Sequence, residues 1–206
     1  MRLPAGVETA AQLAARIGPH RALPVAQALA PLLPVRGLER GLVHSVCGDG
    51  ATSLVYALVA EATATGAWCA LVDMPQAGLR AAHEYGVALQ RTVCIDTDHS
   101  PSSVGAVIGA LVEGFDIVVV RDPACTPADA RKVASRAKAQ GSVLVVHGRW
   151  SSFAVDVELA VHTRAWGFSV RATERTVEVE AAGRRVHGPR RVSLLLPSSA
   201  GRAASA

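Results

Sequence analysis

The chain has 206 residues, half of them hydrophobic, which is enough for one domain with a sizeable core. Aromatic residues make up only 4%, so that core must be built mainly from Val, Leu and Ala. The net charge of +4 is mildly basic, a sign that suits nucleic acid or an acidic partner without requiring either, and no apolar run reaches the roughly 18 residues of a membrane span.

Residues 1–21 are polar and alanine-rich. Within them Val7 to Ile17 reads as a short helix, with Leu13 and Ile17 one turn apart and Gly18-Pro19 as the stop. Such a segment is an arm for docking on the core or on a partner. Glu8, Gln12 and Arg16 interrupt any apolar core of a secretory signal, so a cytoplasmic protein is expected. Leu23 to Leu33, punctuated by Pro24 and Pro31 and followed by Pro34, predicts a short buried helix. The domain reading is therefore an N-terminal arm and helix over 1–36, a core domain over 37–197 and a tail over 198–206.

The core opens with a strand, a glycine loop, a helix and a second strand: LVHSV, CGDGATS, LVYALVAEATATG and AWCALVD. This is the outline of a phosphate-binding βαβ unit, whose loop reads G-x-x-x-x-G-K-[ST]. Its backbone N–H groups and helix N-terminus cradle phosphates, its Lys neutralises them, and its Ser/Thr hydroxyl binds Mg²⁺. Here Gly50 fills the last glycine position and Thr52 the hydroxyl position, but Ala51 stands where the Lys belongs. The stretch Gly48, Gly50, Ala51, Thr52 thus reads as a degenerate phosphate loop, or as a strand-to-helix turn that needs glycine only for its tight geometry.

Met74 to Gly86 predicts a helix with a broken start that turns Leu79, Ala82 and Tyr85 inward, followed by a short strand at Val93 to Ile95. Asp96-Thr97-Asp98-His99 packs three metal-ligating side chains into four residues; without a distant fourth ligand it fits a polar loop feeding a helix cap better, and no metal site is expected. Ser100-Pro101 starts a helix, Val104, Val107, Ile108, Leu111 and Val112 form its apolar face, and Gly114 stops it. The next strand, Phe115 to Val120, runs into Arg121, a cation where a P-loop ATPase carries its Mg²⁺-holding Asp. Asp122 comes one residue late and faces the other side of a continuing strand. Two residues past Asp73, where recombinase-type ATPases carry a catalytic Glu, stands Pro75. No catalytic residue and no cofactor are therefore expected.

Thr126-Pro127-Ala128-Asp129 starts another helix, with Val133, Ala134 and Ala137 inward, Arg131, Lys132, Arg136 and Lys138 outward, and Gly141 as its stop. The basic face is either a solvated surface or a weak DNA contact. Ser142 to His147 is the fifth strand. Strands alternating with helices imply an α/β fold with a mostly parallel sheet, whose carboxyl edge collects Asp49, Thr52, Asp73, Asp96, Arg121, Asp122, His147 and Arg149. Arg121 and Arg149 beside these aspartates predict an ion-pair network.

After Trp150 the pattern changes to alternation, at Val155 to Val161, Ser169 to Ala172, Thr176 to Glu180 and Val192 to Leu196, which predicts antiparallel strands extending one edge of the sheet. Ala182-Gly183 offers a hairpin turn, and Arg184, Arg185, Arg190 and Arg191 flank His187-Gly188-Pro189. These arginines read either as a charged edge that blocks aggregation or as a contact for an acidic partner or a nucleic-acid backbone. Few aromatics are available to stack bases. Residues 198–206 read as a disordered tail, and Cys47, Cys69, Cys94 and Cys125, with no C-x-x-C among them, as buried reduced thiols.

The run from Leu38 to Gly148 resembles the core of RecA. The entry Gly37-Leu38-Glu39-Arg40-Gly41 and the spacing from Thr52 through Thr65-Gly66 to Val72-Asp73 carry the likeness. More closely, the chain resembles the short RecA-like actinobacterial proteins of the ImuA-prime type, encoded in damage-inducible mutagenesis cassettes. The matching stretches are Gly66-Ala67-Trp68-Cys69-Ala70-Leu71-Val72, Tyr85 to Arg91, Glu113 to Val120, Gly141 to Val146 and Trp166-Gly167-Phe168. The resemblance implies a RecA-like fold and a non-catalytic accessory role in translesion synthesis. It also implies ImuB, a polymerase-like adaptor, as partner, and through it an error-prone polymerase and the sliding clamp. Leu13, Ile17, Trp166, Phe168 and the arginines at 184, 185, 190 and 191 are the candidate contact residues. The other readings are a divergent nucleotide-binding switch, an inhibitor of cell division of the SulA type, and a regulator of RecA.

Overall fold

The computed structural model describes residues 22–74, 77–97, 101–121, 123–168 and 172–206. Leu13, Ile17, Pro75, Asp98, His99 and Asp122 lie outside the described residues. A small pair, β1 (Ala22–Leu23) and β2 (Leu38–Glu39), precedes the main sheet. The main sheet is built from β3 (Val43–Gly48), β4 (Cys69–Val72), β5 (Thr92–Ile95), β6 (Ile117–Arg121), β7 (Val143–His147), β8 (Val157–Phe168), β9 (Ala172–Ala182), β10 (Arg190–Leu195) and β11 (Ala204–Ser205). Its order is β11-β10-β9-β8-β3-β7-β6-β4-β5. From β5 to β8 every neighbour is parallel; β9, β10 and β11 then extend that side antiparallel. This mostly parallel α/β sheet flanked by helices, with antiparallel strands at one edge, is consistent with a RecA-like arrangement.

The central strands are short Val-rich runs, buried on both faces, as parallel strands under crossover helices must be. One face is covered by α1 (Ala51–Ala64), α2 (Leu79–Glu84) and residues 22–36; the other by α3 (Pro101–Gly114) and α4 (Pro127–Gln140). Helix α1 has almost no polar side: Leu54, Val55, Tyr56, Leu58, Val59 and Ala62 are all buried. It packs on the sheet, and its apolar residues share one cluster with Leu29, Leu32, Leu33, Tyr85, Val87, Leu194 and Leu196.

Helix α4 shows how local chemistry sets an element's ends. The Thr126 hydroxyl accepts from the Asp129 N–H at 3.2 Å, Pro127 opens the helix, and Gly141 closes it at φ +71°. Thr126→Ala should cost about 1 kcal/mol of stability, read as a lowered midpoint in urea unfolding.

Several expectations are corrected. Leu23 to Leu33 forms no α-helix but a strand residue pair and a 3-10 turn at Ala30–Leu32, because the prolines cannot continue a helix. Its leucines are buried in the main core. Leu79 is exposed; the helix that carries it has six residues, and of these only Ala82 is buried, with Tyr85 just beyond its end. Cys47, Cys69 and Cys125 are buried, but Cys94 is exposed on the edge strand β5. Strand β8 continues through His162 to Phe168, where alternation fails because both faces lie outside the core. Residues 198–206 are ordered: Ser198 is buried, its hydroxyl donates to the Arg202 carbonyl at 2.7 Å, and β11 pairs with β10.

Candidate functional site

The glycine loop leaves β3 at Gly48 and enters α1 at Gly50, both with positive φ, +100° and +101°. Each glycine has a packing reason. A Cβ on Gly48 would collide with the Val161 carbonyl of β8, the register partner of Gly48. A Cβ on Gly50 would come within 2.8 Å of both terminal nitrogens of Arg175. The Arg175 guanidinium therefore lies face-on against the loop.

Arg175 is only 6% exposed. Its Nε donates to the Leu196 carbonyl at 2.7 Å, and the Trp166 ring lies 5.2 Å from the guanidinium. A cation at the start of a helix has the wrong sign for the helix dipole, so these side contacts, not α1, hold it. Burial pushes the Tyr85 phenol pKa up, while the nearby Ser53 hydroxyl and Arg175 pull it down; no hydrogen bond of good geometry reaches the Tyr85 hydroxyl. Sequence reading missed Arg175, because the strand register that brings it to Gly50 is non-local.

Thr52, at the position of the Mg²⁺-binding hydroxyl, is joined to His147 Nε2 at the end of β7 by a hydrogen bond of 2.9 Å. Burial, and then the Arg121 guanidinium across the strand register, hold His147 below its ordinary pKa, so the imidazole is neutral at pH 7. Arg121 is exposed at the end of β6 and has no ion-pair partner among the described residues. Arg149 pairs with Glu158 at 3.6 Å. The expected network of Arg121 and Arg149 with the aspartates is thus corrected: the acid that meets Arg149 comes from β8, which the parallel pairing of β3 and β8 brings alongside. Asp73 accepts from the Thr97 N–H at 2.8 Å and from its hydroxyl at 2.7 Å, and so clamps the loop after β5. Among the described residues no cluster of three metal-ligating side chains occurs.

The arginine hairpin is tied down by its own chain. Arg184 pairs with Asp156 at 2.8 Å, Arg185 with Glu39 at 3.4 Å, and Arg191 with Glu180 at 3.0 Å and Glu178 at 3.4 Å. Arg190 donates to the carbonyls of Pro31 and Leu33 at 3.2 and 2.9 Å. Beyond Val161, β8 has only β9 as neighbour among the described residues, and this ribbon carries Trp166 and Phe168, 48% and 71% exposed.

The opposite edge of the sheet is β5, which pairs only with β4 among the described residues. Val93 on β5 and Trp68 just before β4 fall on one face by register, and both are exposed. The Arg91 guanidinium lies 5.1 Å over the Trp68 ring.

A family described as MT3502 N-terminal domain matches residues 31–152, from the 3-10 turn to just beyond β7. The uncharacterized protein Rv3395c of Mycobacterium tuberculosis is 37% identical over 140 residues, covering 66% of this chain. The match spans 65% of that relative's own length.

Proposed function

The chain belongs to the MT3502 N-terminal domain family, and on that premise we propose that it is a RecA-like binding protein without ATPase chemistry. Its work is to join an assembly for damage-induced translesion synthesis by holding the ImuB polymerase-like adaptor. One observation carries the non-catalytic part: the nucleotide loop is filled by the protein's own groups. Ala51 replaces the lysine, Arg175 lies on Gly50, Thr52 is bound to His147, and Arg121 stands at the metal-holding strand end. A nucleotide triphosphate with Mg²⁺ would have to displace Arg175 and break the bond between Thr52 and His147, and would then meet no lysine at 51 and a cation at 121. The adaptor as partner rests on the resemblance in Gly66 to Val72, Tyr85 to Arg91 and Glu113 to Val120. The open strand β5, with Trp68 and Val93 beside it, supports a sheet edge as the contact.

The test is affinity purification of the tagged protein from its host after DNA damage, with mass spectrometry of what is recovered. Recovery of the adaptor is expected, and Trp68→Glu with Val93→Lys should cut it about tenfold, the loss of roughly 1.4 kcal/mol. ATP titration should show no binding at micromolar concentrations. Recovery of a division protein or of RecA alone would overturn the mutagenesis role, and micromolar ATP binding would overturn the blocked loop.

A further inference from the structure

At the end of β3 away from the glycine loop lies a cleft of about 530 Å³ between α4 and the β9–β10 hairpin. Its walls carry Arg131 and Lys138 from α4 and Arg184 and Arg185 from the hairpin, four cations against the single carboxylate of Asp156. Asp156 is already engaged: it binds Arg184 at 2.8 Å and accepts from the Val43 N–H at 3.0 Å. Arg185 is held by Glu39. Arg131 and Lys138 are exposed and have no ion-pair partner among the described residues, unlike their neighbour Lys132, which meets Asp129 at 3.4 Å. They lie seven positions apart on one helix face, about 10 Å along the cleft. Leu42, Val43 and Ala134 give the cleft an apolar floor.

We propose that this cleft docks an acidic peptide segment of a partner protein, with two carboxylates on Arg131 and Lys138 and an apolar side chain between them on the floor. A phosphodiester backbone matches the charge but offers nothing apolar to that floor. Nor would a base find a platform, because the Phe153 ring already packs on Trp150 at 5.2 Å and against Arg184 at 5.8 Å. The chain's own ends do not match: residues 1–21 contain one acid, Glu8, against Arg2, Arg16 and Arg21, and residues 198–206 contain none. The site is separate from the sheet edge at β5, so it stands whether or not the adaptor binds there.

Panning random dodecapeptides displayed on phage against the whole chain tests this. Enriched sequences should carry at least two acids flanking an apolar residue. The best peptide, fluorescein-labelled, should lose about tenfold in affinity for an Arg131→Gln, Lys138→Gln variant, with thermal unfolding unmoved. Enrichment of non-acidic sequences, no enrichment at all, or equal binding to the variant overturns the proposal. So does a labelled DNA oligonucleotide that binds more tightly than the peptide and is lost in the same variant.

Discussion

Gly48→Ala should lower the stability of the protein by about 3 kcal/mol or more, measured by urea unfolding. Two costs add. A side chain at φ +100° is strained, and its Cβ has no space against the Val161 carbonyl. Neither partner can move cheaply, since β8 is bonded to β3 on one side and β9 on the other. Gly66→Ala is the control: its φ of +116° carries similar strain, but nothing lies within 4 Å of the added carbon. It should cost only about 1 kcal/mol. Equal effects of the two substitutions would remove the β8 contact as the reason for glycine at 48. The comparison bears on function, because it assigns a glycine of the phosphate loop to the closeness of two strands and leaves nothing for a phosphate to explain.

Acid should unfold the protein largely through His44. Its side chain is wholly buried on β3, and its ring nitrogens have no partner of good geometry. Burial lowers its pKa to about 4, against the opposing pull of Asp156, Glu39 and the nearby Leu42 and Leu144 carbonyls. The unfolded chain takes up this proton near the ordinary value of 6.5, whereas the folded protein resists it until about pH 4. The stabilisation is therefore complete above pH 6.5 and falls by about 3 kcal/mol as pH drops to the folded value. Unfolding of the native protein and of His44→Leu, followed across this range, isolates the effect from the carboxylates. The variant should match or exceed the native stability at neutral pH, since it buries no unpaired nitrogen. It should also show a flatter acid slope; an unchanged slope would acquit His44.

The repeating strand–helix units were legible because periodicity and caps are local signals: Thr126-Pro127 and Gly141 bracket a helix in the sequence and in the structure alike. The missing Lys at Ala51 and the Arg at 121 were legible too, since motif spacing is linear. What escaped was set by long-range register. Nothing near Arg175 in the sequence announces that it will rest on Gly50, or that Arg149 will meet a glutamate of β8. The arginine hairpin read as a charged edge or a partner contact, and not as ion-paired, because two of its acids, Glu39 and Asp156, come from other elements. The tail at 198–206 looked disordered by composition, yet main-chain pairing with β10 needs no particular side chain.

Helix α1 has a cost in time. It is apolar nearly all round, and the apolar cluster that encloses it includes Leu194 and Leu196 from far along the chain. On a ribosome adding about 5–20 residues each second, the interval between making Leu58 and making Leu196 is on the order of 10 s. Through that interval the nascent chain presents a greasy helix with part of its apolar cluster unwritten, a natural client for a chaperone waiting at the exit tunnel.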